Sequence, residues 1–240
     1  MSSSDGKIEN KALYVCRMFA SIARRYDLLN AVLSLGFDKS WRRLAMAQIE
    51  DIPNENILDL AVGTGKIALL AARCYPESTV VGVDFCPQML SVAKKAAGKD
   101  RVESRMHLIQ GDALRLPFSD NTFDCLTIGF ALRNVNSIAS LFTEMARVTK
   151  PGGKMVSLEL TRPSLQMLGP LHKLYIKIVI RCVGGLISGK WDAYTYLPQS
   201  ILEFPSPREV QKVMEDAGWR RVEIYRLTFG AATVETGIKG

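Results

Sequence analysis

The stretch Asn56-Ile57-Leu58-Asp59-Leu60-Ala61-Val62-Gly63-Thr64-Gly65-Lys66 constrains this chain more than any other. It opens as a short apolar run broken by one acid, passes through Gly-Thr-Gly, and resumes with helical spacing at Ile67, Ala68, Leu69, Leu70, Ala71 and Ala72. That pattern predicts a strand, a tight glycine turn and a helix. Gly63 and Gly65 permit positive φ and leave no Cβ, so a ligand can approach the backbone closely. The helix N-terminus then offers free N–H groups and a positive dipole end. A second apolar run, Val80-Val81-Gly82-Val83, ends in Asp84, an acid placed to accept hydrogen bonds from two ribose hydroxyls. The chain is expected to bind a nucleoside-containing cofactor at the carboxyl ends of parallel strands.

Gly63-Thr64-Gly65-Lys66-Ile67-Ala68 also fits G-x-G-x-x-G/A, so a dinucleotide stays open on the loop alone. Asp59 tilts the choice. A carboxylate just before the loop repels a pyrophosphate but suits an ammonium. S-adenosylmethionine (SAM) carries an ammonium, a sulfonium and a ribose, and no phosphate.

The core alternates around that unit. Strands are expected at 56–61, 79–84, 106–110, 123–130 and 154–160, with helices at 65–74, 87–97 and 137–149 between them and a Pro151-Gly152-Gly153 turn before the last. Such β-α units give a doubly wound, mostly parallel sheet. Two final strands, 221–227 and 232–238, are joined too closely to be parallel and form a C-terminal antiparallel hairpin. That ending, with Asp59, speaks against the second class weighed, a nicotinamide-dependent oxidoreductase. All 240 residues are read as one domain. Residues 1–10 are expected to be disordered, and helices from Asn10, Tyr26 and Trp41 make residues 1–52 a helical cap over the cofactor site. Residues 162–205 form a helical insertion before the last helix, at 207–217. Within it, 168–187 reads as an amphipathic helix with Lys173, Lys177 and Arg181 in one basic stripe, a lid or a membrane-surface contact.

Composition narrows the field. No run approaches a membrane span, and the polar N-terminus lacks a signal core, so a cytoplasmic protein is expected. Cys16, Cys74, Cys86, Cys125 and Cys182 are scattered and odd in number, which excludes a zinc site or disulfide framework. No metal is expected. The net charge of +7 comes without interleaved aromatic and basic runs, so nucleic acid is not an expected partner and anionic lipid is the alternative.

Several segments together resemble the demethylmenaquinone and ubiquinone C-methyltransferase family, within the Rossmann-like SAM-dependent methyltransferases. They are Met18-Phe19, Ala23-Arg24-Arg25-Tyr26-Asp27-Leu28-Leu29-Asn30, Leu58 to Gly65, Leu116 to Asp124, Leu132-Arg133-Asn134-Val135, Pro151-Gly152-Gly153, Glu159, Pro163 and Asp192-Ala193-Tyr194-Thr195-Tyr196-Leu197. The likeness runs over nearly the full length. It implies a seven-stranded sheet and SAM held by Asp59, Gly63, Thr64, Gly65, Asp84, Asp112 and Ala113, with Gly129 beside the cofactor where many relatives carry a small polar residue. It implies methyl transfer to a ring carbon of a reduced prenylated quinone. Arg133 would then stabilise the developing phenolate, Asn134 would orient a water or the second ring oxygen, and Tyr26 and Tyr194 would line the acceptor pocket. The expected partners are the prenylated quinol, an anionic membrane surface in peripheral contact, and a second copy of the chain. Asp38 and Glu235 depart from the family, at places often held by histidine, and are expected to mark a change of acceptor. The alternative within the same fold is a SAM-dependent methyltransferase for a sterol, a lipid amine or a small phenol.

Overall fold

A computed structural model describes residues 5–51, 55–162 and 191–240, with side chains from residue 11 and, in the last segment, from residue 196. The helices are α1 (Asp5–Ile22), α2 (Tyr26–Leu33), α3 (Phe37–Ala47), α4 (Lys66–Cys74), α5 (Pro87–Asp100), α6 (Ile138–Val148), α7 (Trp191–Glu203) and α8 (Pro207–Asp216). The strands are β1 (Asn56–Leu60), β2 (Thr79–Asp84), β3 (Met106–Gln110), β4 (Phe123–Gly129), β5 (Thr149–Leu160), β6 (Trp219–Leu227) and β7 (Ala232–Lys239).

The seven strands form one sheet in the order β3-β2-β1-β4-β5-β7-β6. β1 pairs in parallel with both β2 and β4, while β7 runs antiparallel to β5 and β6. The chain therefore reverses its strand order between β1 and β4, and the carboxyl ends of those two strands open the crevice where ligands bind in such sheets. β1 and β4 are buried along almost their whole length, as expected of strands covered on both faces.

Two apolar layers flank the sheet. On one side α3 and α4 pack Trp41, Ala45, Met46, Ile67, Ala68 and Ala71 against Val156, Leu158 and Val234. On the other, α6 and α8 pack Phe142, Met145, Val210 and Met214 against Leu58, Leu126, Met155 and Trp219. The expectation of a cap over residues 1–52 thus divides. α1 and α2 pack on α5 and on Leu197 and Ile201 of α7, but α3 is a layer of the core, because Trp41, Ala45 and Met46 recur on one helical face that the sheet can bury. α1 starts at Asp5, so residues 5–10 are helical where disorder was expected.

Three other details differ from the sequence reading. The Pro151-Gly152-Gly153 turn lies inside β5 as a bulge: Phe123 pairs with Thr149 and Cys125 with Lys154, so the β5 side holds the extra residues. α2 closes with a Schellman motif, Gly36 N donating to Ala31 O and Leu35 N to Val32 O. Its left-handed position is held by Leu35 at φ 52°, with Gly36 one residue later. α7 is an element the periodicity did not give. The expected amphipathic helix at 168–187, with its basic stripe and Cys182, lies outside the described residues. Among the described residues no helix is long and apolar enough to cross a membrane.

Candidate functional site

At the switch point a cleft encloses roughly 930 Å³, its open mouth included. Its floor comes from the ends of β1, β2 and β4 and the loop after β3: Ala61, Gly63, Asp84, Asp112, Ala113, Gly129 and Phe130. Its roof comes from α1 and α2, through Val15, Cys16, Phe19 and Tyr26. Asn134 and Val135 close the end that faces β4. Two floor residues other than glycine, Ala61 and Phe130, hold φ of 48° and 58°. Strain of this kind is retained where the surrounding structure fixes it, and it clusters at ligand sites.

The glycine loop is held from two directions. Below it, Asp84 Oδ2 accepts from Gly63 N at 2.7 Å and Oδ1 from Cys86 N at 2.8 Å. Each carboxylate oxygen keeps a second lone pair for a ligand hydroxyl. Burial raises the Asp84 pKa above the usual range. Above the loop, Asp27 at the start of α2 accepts from the Thr64 hydroxyl at 2.6 Å and pairs with Lys66 Nζ at 3.2 Å. The cap is therefore fastened to the loop by one carboxylate, a contact the sequence analysis missed. Its only advance signal was the Tyr26-Asp27 pair itself.

Asp59 lies under the loop and not on the cleft wall. Its Oδ2 accepts from Ala68 N at 3.0 Å and its Oδ1 from the Thr127 hydroxyl at 2.8 Å. It ties β1 to β4 and to the first turn of α4. Burial pushes its pKa up to about 7. An acid open to a ligand ammonium was expected here; the carboxylate is instead 2% exposed and does not line the cleft. Thr64 is buried and turned to Asp27, and Gly65, at φ 83°, packs on α5, where an added Cβ would stand 3.1 Å from Ala93 Cβ. Asp112 lines the cleft with Oδ1 accepting from Leu114 N at 2.9 Å, which leaves Oδ2 for a ligand donor. At Gly129 an added Cβ would fall 2.4 Å from Ile67 Cδ1, so that wall position has no room for a side chain unless Ile67 moves.

Arg133 and Asn134 sit on a short 3-10 turn, Leu132–Asn134, after β4. Asn134 lines the cleft, and Arg133 does not. Its guanidinium is paired with Glu159 of β5, the Arg133 side chain being 6% exposed and the Glu159 side chain 0%. Glu159 Oε2 also accepts from Arg133 N at 3.3 Å and Oε1 from Leu160 N at 2.8 Å. Arg133 Nε is buried with no acceptor. The Asn134 carboxamide oxygen accepts from the hydroxyl of Tyr196 at 3.2 Å. The side chain of Tyr194 lies outside the described residues; Tyr196, two residues on in α7, reaches Asn134. Desolvation raises the Tyr196 pKa. Tyr26 stands on the roof with its ring edge-on to Phe19, centroids 5.6 Å apart.

The two departures from the family are both buried. Asp38 pairs with Arg42, whose guanidinium lies 5.3 Å from the centroid of Phe130 on the cleft floor. Glu235 accepts from the Thr233 and Ser157 hydroxyls, each at 2.5 Å, and burial lifts its pKa to about 7. Cys86 and Cys16 both line the cleft, but burial pushes the Cys16 thiol up to about 11, away from the thiolate a nucleophile needs. His107 is exposed near the start of β3, away from the strand ends that form the cleft.

The profile of the ubiE/COQ5 methyltransferase family matches residues 7–239. A demethylmenaquinone methyltransferase from Deinococcus radiodurans is 43% identical over 98% of this chain and 96% of its own length. A ubiquinone/menaquinone biosynthesis C-methyltransferase, UbiE, from Geotalea daltonii is 40% identical over 97% of this chain and 99% of its own. Among solved structures, a SAM-dependent methyltransferase from Thermotoga maritima superposes with a TM-score of 0.67 at 18% identity, covering 93% of this chain and 99% of that one. At that identity the likeness is one of fold.

Proposed function

The chain belongs to the ubiE/COQ5 methyltransferase family, and we propose from that premise how its cleft methylates a ring carbon of a reduced prenylated quinone. It is a SAM-dependent C-methyltransferase of menaquinone or ubiquinone biosynthesis. The observation that carries the reading into the structure is the cleft itself: Asp84 and Asp112, each with carboxylate oxygen capacity left over, line it together with Asn134 and Tyr26.

SAM supplies the methyl electrophile when bound. We assign its ribose to Asp84, its adenine amine to Asp112 beside Ala113, and its methionine end to the loop of Gly63, Thr64 and Gly65, with Gly129 giving it room. Asp59 acts from beneath that loop, its carboxyl fixing Ala68 N and hence the direction of the first turn of α4. The acceptor carbon becomes nucleophilic only as a neighbouring hydroxyl gives up its proton, so the acceptor must be the quinol. Asn134 is assigned to the ring oxygen or to a water that takes its proton, with Tyr196 fixing the carboxamide. Arg133, paired with the buried Glu159, holds the turn that carries Asn134 and so positions that carboxamide. Tyr26 and Phe19 form an apolar roof that excludes water. α1 and α2, which roof the cleft, are assigned to enclosing the acceptor, and peripheral contact with an anionic membrane is the expected way to a lipid-borne substrate.

The test is transfer of labelled methyl from SAM to demethylmenaquinol, with the label counted in the organic extract. Label in the methylated quinone is the expected result. No label, while S-adenosylhomocysteine still binds, would refute the acceptor and return a sterol, lipid amine or phenol to consideration.

A further inference from the structure

Resting on the quinol acceptor just proposed, we infer that Tyr196 is a positioning residue: with the carbonyl of Phe130 it holds Asn134 as a hydrogen-bond donor to the ionising hydroxyl oxygen of the acceptor. Asn134 then stabilises the phenolate and takes no proton.

The two ends of the Asn134 carboxamide differ, and its neighbours decide which one each of them meets. On one side stands the carbonyl oxygen of Phe130, 3.4 Å from Nδ2. A carbonyl only accepts, so the amide nitrogen has to face it. On the other side the Tyr196 hydroxyl lies 3.2 Å from Oδ1 and donates to it. Turned over, the carboxamide would set two oxygens against each other at Phe130. The backbone there is tied down: Phe130 holds φ 58°, its N donates to Leu158 O at 2.7 Å, and Asn134 N donates to Ala131 O at 2.9 Å. The nitrogen keeps one N–H open, on a residue that lines the cleft. Donation from Tyr196 into Oδ1 polarises the amide, which strengthens that N–H as a donor and weakens Oδ1 as an acceptor.

Tyr196 is itself held for the task. Its ring meets that of Tyr14 edge-on, centroids 6.0 Å apart, so α1 backs it. Lys11, also on α1, donates from Nζ to Val135 O at 3.0 Å and joins the same helix to the residue after Asn134. Burial raises the Tyr196 pKa, with the Arg133 cation opposing the rise and Tyr14, Glu159 and Glu203 adding to it, so the hydroxyl keeps its proton and stays a donor.

A neutral donor has a particular use here. As the acceptor's O–H bond breaks, its proton leaves with a water and the electron pair stays on oxygen. A hydrogen bond to that oxygen strengthens as the charge appears, so it favours the transition state over the bound quinol.

The experiment compares wild type with Tyr196→Phe, Asn134→Leu, Asn134→Asp and Tyr196→Phe/Asn134→Leu in two assays. The first is the pH dependence of methyl transfer to demethylmenaquinol. Tyr196→Phe should lower kcat about tenfold with KM little changed, and move the rising limb of kcat to higher pH. Asn134→Leu should lower kcat about 100-fold, and adding Tyr196→Phe to it should cost nothing more, because the tyrosine acts through the amide. Asn134→Asp keeps the shape but has no N–H, and should do no better than Asn134→Leu. The second assay needs no methyl transfer: α-naphthol is added to the complex with S-adenosylhomocysteine and its ionisation is followed by absorbance. With wild type it should ionise at lower pH than in water, less so with Tyr196→Phe, and with Asn134→Leu as it does in water. Asp84, Asp112, Cys16, Cys86 and Tyr26 also line the cleft, but they are common to every variant, so the differences report Asn134. S-adenosylhomocysteine affinity should be unchanged throughout. Tyr196→Phe that matches wild type in both assays, or that costs as much beside Asn134→Leu as alone, would overturn the inference. So would Asn134→Asp turning over as wild type does, or naphthol that ionises no more readily with wild type than in water. Wild type that gives no methylated quinone while the naphthol shifts stand would count against the acceptor and leave the donor in place.

Discussion

Removing Glu159 tests how the turn carrying Asn134 is held. Glu159 is fully buried and accepts from the Arg133 guanidinium, Arg133 N and Leu160 N. Glu159→Ala takes away the two acceptor oxygens that serve these three donors and leaves the guanidinium in a place where its Nε already lacks an acceptor. Breaking a buried ion pair from one side costs about 3–5 kcal/mol, because the surviving charge is left uncompensated. The neighbouring cleft can admit water into the vacated space, so the lower end, about 3 kcal/mol, is the expected loss. For a chain of this length that corresponds to a fall in melting temperature of roughly 6–12 °C. Urea unfolding of the ligand-free protein measures it directly. The double variant Arg133→Met/Glu159→Leu supplies the control: it removes both charges, keeps apolar volume, and should return to within about 1 kcal/mol of wild type. A loss below about 1 kcal/mol in the single variant, or a double variant no more stable than the single one, would refute the buried-pair reasoning. Arg133 would then have to be a mobile cation able to swing into the cleft.

Four further outcomes follow from the same geometry. Asp84→Ala removes the ribose acceptor and orphans Gly63 N and Cys86 N; titration calorimetry should show S-adenosylhomocysteine binding weakened about 100-fold, taking two hydrogen bonds to a charged group at roughly 1.5 kcal/mol each, and unchanged affinity would sink the assignment. Asp27→Asn keeps the shape of the latch but loses the ion pair with Lys66; cofactor affinity should drop by about threefold to tenfold with little change in melting temperature, and an unaltered affinity would show that cap and loop are uncoupled. Gly65→Ala places a Cβ at φ 83° and 3.1 Å from Ala93, so stability should fall by about 1–3 kcal/mol in urea; a neutral substitution would contradict that backbone. Finally, burial raises Asp59 and Glu235 from 3.8 and 4.5 to about 7. Between those values the folded chain keeps protons the unfolded chain has lost, so these groups make unfolding free energy decrease as pH rises towards 7. Glu235→Gln should flatten the dependence of melting temperature on pH between about 5 and 7, and an unchanged slope would mean the carboxyl titrates normally.

What the sequence determined by itself is whatever is written locally. The apolar runs that end in Gly63-Thr64-Gly65 and Asp84 fix two strand–turn–helix corners, because period and glycine chemistry act within about ten residues. The short Phe229-Gly230 link fixes the antiparallel ending for the same reason. Parallel β1, β2 and β4 then bring Gly63, Asp84, Asp112, Ala113 and Gly129 to one cleft, and the turn after β4 adds Asn134. Only the tertiary structure decided which polar groups meet across long separations. That Asp59 would lie under the loop, bonded to Thr127 of β4 and to Ala68, was not written along the chain. Arg133 and Glu159 were both singled out, but nothing along the chain says that β4 and β5 stand side by side and bury them together. Asp27 finds Thr64 only because α2 folds back over the loop. Tyr196 meets Asn134 only because α7 packs against the turn after β4. α3 has the same amphipathic look as a cap helix, and it became a core layer because β5 and β7 left an apolar face beside α4 for it to cover. A buried charge or an apolar face must find a partner somewhere, and the fold, through which strands lie adjacent, decides which one it gets.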